Sequence, residues 1–256
     1  MKKNILILSI LLAIIAISAL VFSLKNIFLK PREEARPKVA IIIDDWGYNL
    51  RCLNLLKQID APITVSVLPN LNYSSEIAEA AKSYDKEIIL HLPLEPEEAG
   101  RKIGLEEHTI TSDMPDEEII KNIELAFASV PYACGVSNHM GSCATGDVRL
   151  MSTTFAELKK RELFFLDNLV TNKSVCKELA AKMKIKFARR NIFLDNLDSY
   201  DYIKGQVEKL GDFARRKGQA VGIGHPKVTT LKVLKDMIPQ MQAEGIEFVF
   251  VSELAE

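Results

Sequence analysis

The sequence predicts an α/β fold: a parallel sheet covered by helices on both faces, wound into a barrel of about eight β/α units and preceded by an apolar N-terminal helix. Three observations predict it. Short β-branched apolar runs alternate along the chain with stretches of helical period. Those runs have no wet face, as befits strands buried on both sides. The residues able to do chemistry nearly all follow a run directly, and the carboxyl ends of the strands are where such a barrel collects its site.

The strand-like runs are Val39–Ile43, Ile63–Leu68, Glu87–Leu90, Gly135–Ser137, Leu163–Leu166, Ile185–Ala188, Ala220–Ile223 and Glu247–Val251. Between them lie helical stretches at Asp116–Val130, Ser199–Lys217 and Thr230–Glu244, with Thr154-x-x-Glu157 read as a capping box and Pro239 expected to kink or end the last helix. Right-handed crossovers turn such a series into a barrel or a doubly wound sheet, and about eight units favour the barrel.

The chain has 256 residues, which suits one domain plus an appendage. Lys2 and Lys3 precede an uncharged, almost wholly apolar run from Ile5 to Leu24. A helix of about 20 apolar residues matches a bilayer's ~30 Å hydrocarbon layer, whereas the core of a cleaved signal spans ~7–15 residues. Residues 1–24 are therefore expected to form a retained signal anchor, with a cleaved signal peptide as the alternative. Either places the remainder outside the cytoplasm, anchored to the inner membrane or secreted into the periplasm. Residues 25–37, holding Pro31, Pro37 and Arg32-Glu33-Glu34, read as a solvated linker, and 38–256 as the folded domain.

Lys and Arg total 33 against 34 for Asp and Glu, so there is no field to recruit nucleic acid. The four cysteines have no C-x-x-C spacing, which excludes a zinc ribbon; Cys134 and Cys143 could bridge across a short loop in an oxidising compartment, with buried free thiols as the alternative.

Of four histidines, His91, His139 and His225 end strands, while His108 lies in a polar loop and is expected at the surface. Together with Asp44-Asp45 they meet a chemical specification. Two imidazoles and a carboxylate suit zinc or another borderline divalent ion. Such an ion polarises a carbonyl and acidifies water, a second carboxylate can take a proton, and a further histidine can protonate a leaving group. Adjacent aspartates after a strand should point apart, because side chains alternate. An ordinary helix cap is the plain alternative for the pair.

The segments Val39-Ala-Ile-Ile-Ile-Asp-Asp-Trp-Gly-Tyr-Asn, Ile89-Leu-His-Leu-Pro-Leu-Glu-Pro, Gly135-Val-Ser-Asn-His-Met-Gly-Ser, Arg190-Asn-Ile-Phe-Leu-Asp-Asn and Gly222-Ile-Gly-His-Pro together resemble the divergent polysaccharide deacetylase family, over about residues 38 to 254. The resemblance implies a NodB-like, distorted parallel β/α barrel of seven to eight strands. It also implies a divalent metal, most readily zinc, and the removal of acetyl groups from a polysaccharide. By it, Asp44 matches the general base, Asp45 the metal carboxylate, His91 a metal ligand and His225 the general acid. Ordinary members take both histidine ligands from one H-x-x-x-H loop, and here His91 is followed at that spacing by Glu95. Either Glu95 coordinates or His139 reaches in from the next strand; His139 is preferred because imidazole suits zinc better than an added carboxylate. Arg190 and Asp195 resemble supporting residues, Glu95 and Asn138 are expected to bind sugar hydroxyls, and Trp46 to stack on a pyranose face or to plug the barrel mouth.

Family members often carry Ser-Arg-Thr after the strand ending Phe165-Leu166-Asp167. This chain reads Asn168-Leu169-Val170-Thr171. An arginine gripping substrate from that place is missing, which leaves a non-catalytic glycan-binding or cell-envelope factor as the second reading. A phosphoester hydrolase is disfavoured, since only Arg189-Arg190 approaches a basic cluster and no Gly-rich cradle exists.

Overall fold

The structure, a computed structural model, describes residues 36–97 and 104–256, with Ile15 and residues 17–19 of the N-terminal segment. Apart from those helical residues, the expected anchor lies outside the described residues, as does most of the linker. Among the described residues no helix is long and apolar enough to cross a membrane.

From Arg36 onward the chain forms one unit. Its elements are β1 (Lys38–Trp46), α1 (Leu53–Lys57), β2 (Thr64–Val67), α2 (Ser74–Ser83), β3 (Glu87–Leu94), α3 (Asp116–Ser129), β4 (Gly135–Met140), α4 (Val148–Lys160), β5 (Phe164–Asp167), α5 (Cys176–Met183), β6 (Phe187–Arg189), β7 (Ile192–Phe193), α6 (Tyr200–Lys217), β8 (Gln219–Gly224), α7 (Val228–Ala243) and β9 (Glu247–Phe248). The strands run parallel in the order β6-β5-β4-β3-β2-β1-β8-β7, with β9 on the base of β1. The sheet is a curled half-barrel rather than a closed one. Its two edges, β6 and β7, are consecutive in sequence, and the chain itself crosses the gap between them. Arg190 N–H donates to Asp167 O at 3.0 Å on one side, and Asn191 N–H to Val221 O at 2.9 Å on the other.

The period of two in each strand divides the core into two layers. On β1, Val39, Ile41 and Ile43 face the helices and pack with Leu56, Ile77 and Leu231. Ala40 and Ile42 face inward, where they meet Ile89, Leu166, Val221 and Ile223. The C-terminal segment fills this interior from below through Val249, Val251 and Leu254. It is tied by Phe187 N–H to Glu256 O at 2.8 Å. Leu254→Ala is expected to cost roughly 2–5 kcal/mol in urea unfolding, the range for an emptied leucine site. A loss under about 0.5 kcal/mol, as at ordinary surface positions, would show that the segment is not part of the core.

Four sequence expectations are corrected. Glu247–Val251 supplies no strand of the eight-strand path; only Glu247–Phe248 pairs, and that path includes instead the unexpected Ile192–Phe193. Thr154 is no cap: α4 begins six residues earlier, at Val148, behind Asp147, whose side chain accepts from Leu150 N–H, and buried Thr154 donates to Leu150 O at 3.0 Å. α7 does not end at Pro239 but continues through it to Ala243. Packing of the buried Leu234, Met237, Ile238 and Met241 outweighs the one backbone bond that proline forfeits. Cys134 and Cys143 flank opposite ends of β4, a strand of 6 residues, so at ~3.3 Å per residue they lie far beyond disulfide reach. All four thiols are free.

Candidate metal centre

The inward faces of the strands, carried two residues past the hydrophobic interior, become polar. Ile42 leads to Asp44, Ile89 to His91, Leu166 to Asn168, Ala188 to Arg190, Phe193 to Asp195 and Ile223 to His225. On β4, Ser137 leads to His139. The alternation that builds the core thus also aims these side chains at one mouth.

Asp45 breaks the rule. Strict alternation would send it to the helix side, but its φ is 58° and the β1–β2 register slips between Ile43 and Trp46. The left-handed region is tolerated by Asp more readily than by most residues, and an irregularity of this kind re-aims a side chain. Both carboxylates therefore reach the same imidazole, which corrects the expectation that they diverge. His91 Nε2 lies 3.1 Å from Asp45 Oδ1 and 3.8 Å from Asp44 Oδ2.

Asp45, His91 and His139 converge tightly. His139 Nδ1 is 3.0 Å from Asp45 Oδ1 and 3.2 Å from His91 Nε2, with the two rings edge to face. A tetrahedral ion bonded at ~2.0–2.1 Å keeps its ligand atoms about 3.3 Å apart. Three donor atoms separated by 3.0 to 3.2 Å fit one face of that tetrahedron. His91 Nδ1 sits 2.8 Å from Ser137 Oγ, itself 2.8 Å from Ser66 Oγ, so a buried hydroxyl pair fixes the ring and leaves Nε2 free to ligate. These residues can hold a divalent cation. Glu95 is not in the group.

Across the mouth, His225 Nε2 lies 3.5 Å from Asp45 Oδ2. Its Nδ1 is 2.8 Å from Asp195 Oδ1, while Asp195 Oδ2 accepts the His225 backbone N–H and the Thr230 hydroxyl, each at 2.8 Å. A Cβ on Gly224 would fall 2.9 Å from Thr230 Cγ2 and 3.6 Å from Asp195 Oδ2, so glycine lets this carboxylate sit against β8.

The charges follow from this packing. Burial raises the Asp44 pKa above the ordinary carboxylate range, and His91 only partly offsets it. At Asp45 burial acts the same way, but the hydrogen bonds of His139 and His91 prevail and hold the carboxyl well below that range. Burial opposes the imidazolium of His225, yet Asp195, then Asp45 and Asp44, outweigh it and raise its pKa. His91 is raised likewise, chiefly by Asp44 against the effect of burial.

Other expected site residues sit elsewhere. Trp46 is 1% exposed and belongs to the helix-facing core, so it offers no face to a sugar; the exposed aromatic of the same loop is Tyr48, hydrogen-bonded to Glu106. Glu95 is buried and accepts from Ser112 N–H at 2.7 Å. Asn138 is wholly buried, donating to Met140 O and accepting from Asn168 N–H. Arg190 donates to the carbonyls of Asn168 and Leu169 and stacks over Phe193. Asp195 is buried and orients His225. Of these candidates for the substrate rim and its support, Trp46, Glu95 and Asn138 are buried, and Arg190 is committed to backbone carbonyls. Asp195 is committed to an imidazole instead. His108 is on an exposed turn, as expected. Ser66, Ser137 and Thr230 were missed; the available signal was a hydroxyl on the inward face of an apolar strand, or one turn into the following helix.

Residues 41–255 match the divergent polysaccharide deacetylase family. The chain belongs to this family. It is 34% identical over 201 residues to the Escherichia coli K12 protein YibQ, covering 78% of this chain and 62% of YibQ, so it spans less than two thirds of that relative. Among solved structures, protein ATU2773 of Agrobacterium tumefaciens superposes with a TM-score of 0.81 at 22% identity, covering 88% of this chain and 92% of that one. BA3943 of Bacillus anthracis, a CE4 family pseudoenzyme, gives 0.52 at 14% identity over 86% and 66%. Both share the fold of this deacetylase-family member.

Proposed function

We propose that this protein is a zinc-dependent deacetylase acting on an acetylated envelope or extracellular polysaccharide, held outside the cytoplasm by its N-terminal apolar segment. The single observation carrying this reading is the convergence of Asp45, His91 and His139 at 3.0 to 3.2 Å beside a buried second carboxylate and a carboxylate-backed histidine. Zinc is favoured by two imidazoles and one carboxylate. When bound, the ion supplies Lewis-acid polarisation of the acyl carbonyl and makes water more acidic. Asp44 takes the proton that water loses as its oxygen bonds the acyl carbon. His225 Nε2 gives a proton to the departing amine or alkoxide, which leaves as the bond to the acyl carbon breaks, so that acetate and a free amino or hydroxyl sugar result. Asp195 fixes the His225 tautomer, with the Nδ1 proton toward Asp195 and Nε2 toward the mouth.

Acetate release from acetylated glycans by the zinc-loaded chain, abolished by a chelator and restored by zinc, tests the reading. Bound glycan without acetate release under zinc, cobalt, nickel and manganese would instead establish a non-catalytic binding factor. The replacement of Ser-Arg-Thr by Asn168-Leu169-Val170 favours that second reading.

The Asp195–His225 pair has its own signature. Asp195 raises the His225 pKa and so keeps Nε2 protonated to higher pH. In Asp195→Asn this support goes, the pKa falls, and the alkaline limb of kcat/KM moves to lower pH. At pH 8 the loss should be about 100-fold, a general acid's typical share. An unmoved alkaline limb would remove His225 from the acid's role.

A further inference from the structure

Asn168 stands at the inner end of β5, and its side-chain amide donates from Nδ2 to Asp44 Oδ2 at 2.6 Å. Both residues are buried, at 6% and 2% exposure. The amide cannot be turned over without setting its oxygen against a carboxylate oxygen, so Asp44 itself fixes which way it points. Asn168 is in turn held from two sides. Its backbone N–H donates to Asn138 Oδ1 at 2.9 Å, and Asn138 is locked by its own bond to Met140 O at 2.7 Å. Its carbonyl accepts from Arg190 Nε at 2.7 Å, and the same guanidinium grips Leu169 O at 3.0 Å. Two neighbouring strand ends thus spend their polar groups on placing one amide. The remaining oxygen of the carboxylate, Asp44 Oδ1, is buried without a hydrogen-bond partner.

We propose that Asn168 is the positioning residue of Asp44, holding its carboxylate in one rotamer beside the Asp45–His91–His139 cluster, with Asn138 and Arg190 holding Asn168 in place. The inference rests on Asp44 acting as the base in the deacetylase reading. It gives Asn138 and Arg190 a role through Asn168 in place of contact with sugar.

The test uses Asn168→Leu in the full chain. This variant keeps the shape of the side chain and both backbone bonds but loses the donor. The expected result is a fall in kcat on the order of 100-fold, with KM within about threefold of wild type and zinc content unchanged. Retention of wild-type kcat overturns the proposal, and so does a rise in KM alone, which would mark a sugar contact. Should that variant not fold, Asn168→Ser serves: its hydroxyl is too short to reach Oδ2, so the same split between kcat and KM is expected and wild-type turnover is contrary.

Crystal structures of metal-free wild type and Asn168→Ser supply a readout independent of turnover. Asp44 is expected to leave its wild-type rotamer in the variant, and an unmoved carboxylate contradicts the proposal. If the wild type releases no acetate with any ion, the deacetylase reading fails, while this comparison still decides whether Asn168 holds Asp44.

Discussion

Asp45→Gly will abolish both ion binding and acetate release without weakening the fold. Asp45 Oδ1 is the atom shared by His91 Nε2 and His139 Nδ1, so its loss removes the third corner of the cluster. Two neutral imidazoles alone hold a divalent ion weakly, and kcat/KM should fall by roughly 10⁴-fold or more once the ion's several kcal/mol of charge stabilisation is gone. The stability of the metal-free protein should change little. Asp45 occupies a left-handed φ of 58°, where glycine is at ease. Relief of that strain, on the order of 1 kcal/mol, opposes the loss of the contacts with His91 and His139, so the metal-free melting temperature should stay close to that of wild type. Equilibrium dialysis with zinc and calorimetry of the stripped protein measure the two halves separately. Retained zinc at one ion per chain would show that Asp45 is no ligand.

Asp44→Asn should separate chemistry from binding. The side chain lies 3.8 Å from His91 Nε2, outside the tight group, so zinc content and KM should persist. Turnover should fall by about 10²–10⁴-fold, the contribution of a placed general base. The pH dependence should change as well. Asp44 must be ionised to accept a proton; burial raises its pKa in the metal-free protein and a bound cation draws it down, so the acid limb of kcat/KM that Asp44 sets should vanish in the Asn variant. An acid limb that persists unchanged in the Asn variant, or full turnover there, would take the base's role from Asp44.

The fold was legible because its determinants are periodic. Val39 to Ile43 is apolar on both faces since helices and interior each claim one, and the same holds for the apolar stretches of β3, β5 and β8. What escaped the sequence was local geometry. The two-residue β7 is too short to show a period, and its strand pairing depends on the chain crossing the half-barrel's gap. Thr154 resembles a cap because a Thr-x-x-Glu spacing occurs as readily inside a helix, where the hydroxyl bonds back to Leu150.

At the site, residue type and strand-end position were enough to gather Asp44, Asp45, His91, His139 and His225. They were not enough to separate side chains that face the mouth from those that pin loops beneath it. Asn138 and Arg190 differ from a sugar-binding pair only in which backbone carbonyls and N–H groups lie within reach. Trp46 was turned outward by the same irregularity that turned Asp45 in. No spacing in the sequence announces a positive φ at an aspartate.

The central claim is that Asp45, His91 and His139 seat one cation. Crystals of the zinc-loaded chain, measured on both sides of the zinc absorption edge, test it most directly. The expected map holds a single anomalous peak about 2.0–2.2 Å from Asp45 Oδ1, His91 Nε2 and His139 Nδ1. A protein that takes up no zinc, or a peak bound elsewhere with these three side chains untouched, contradicts it.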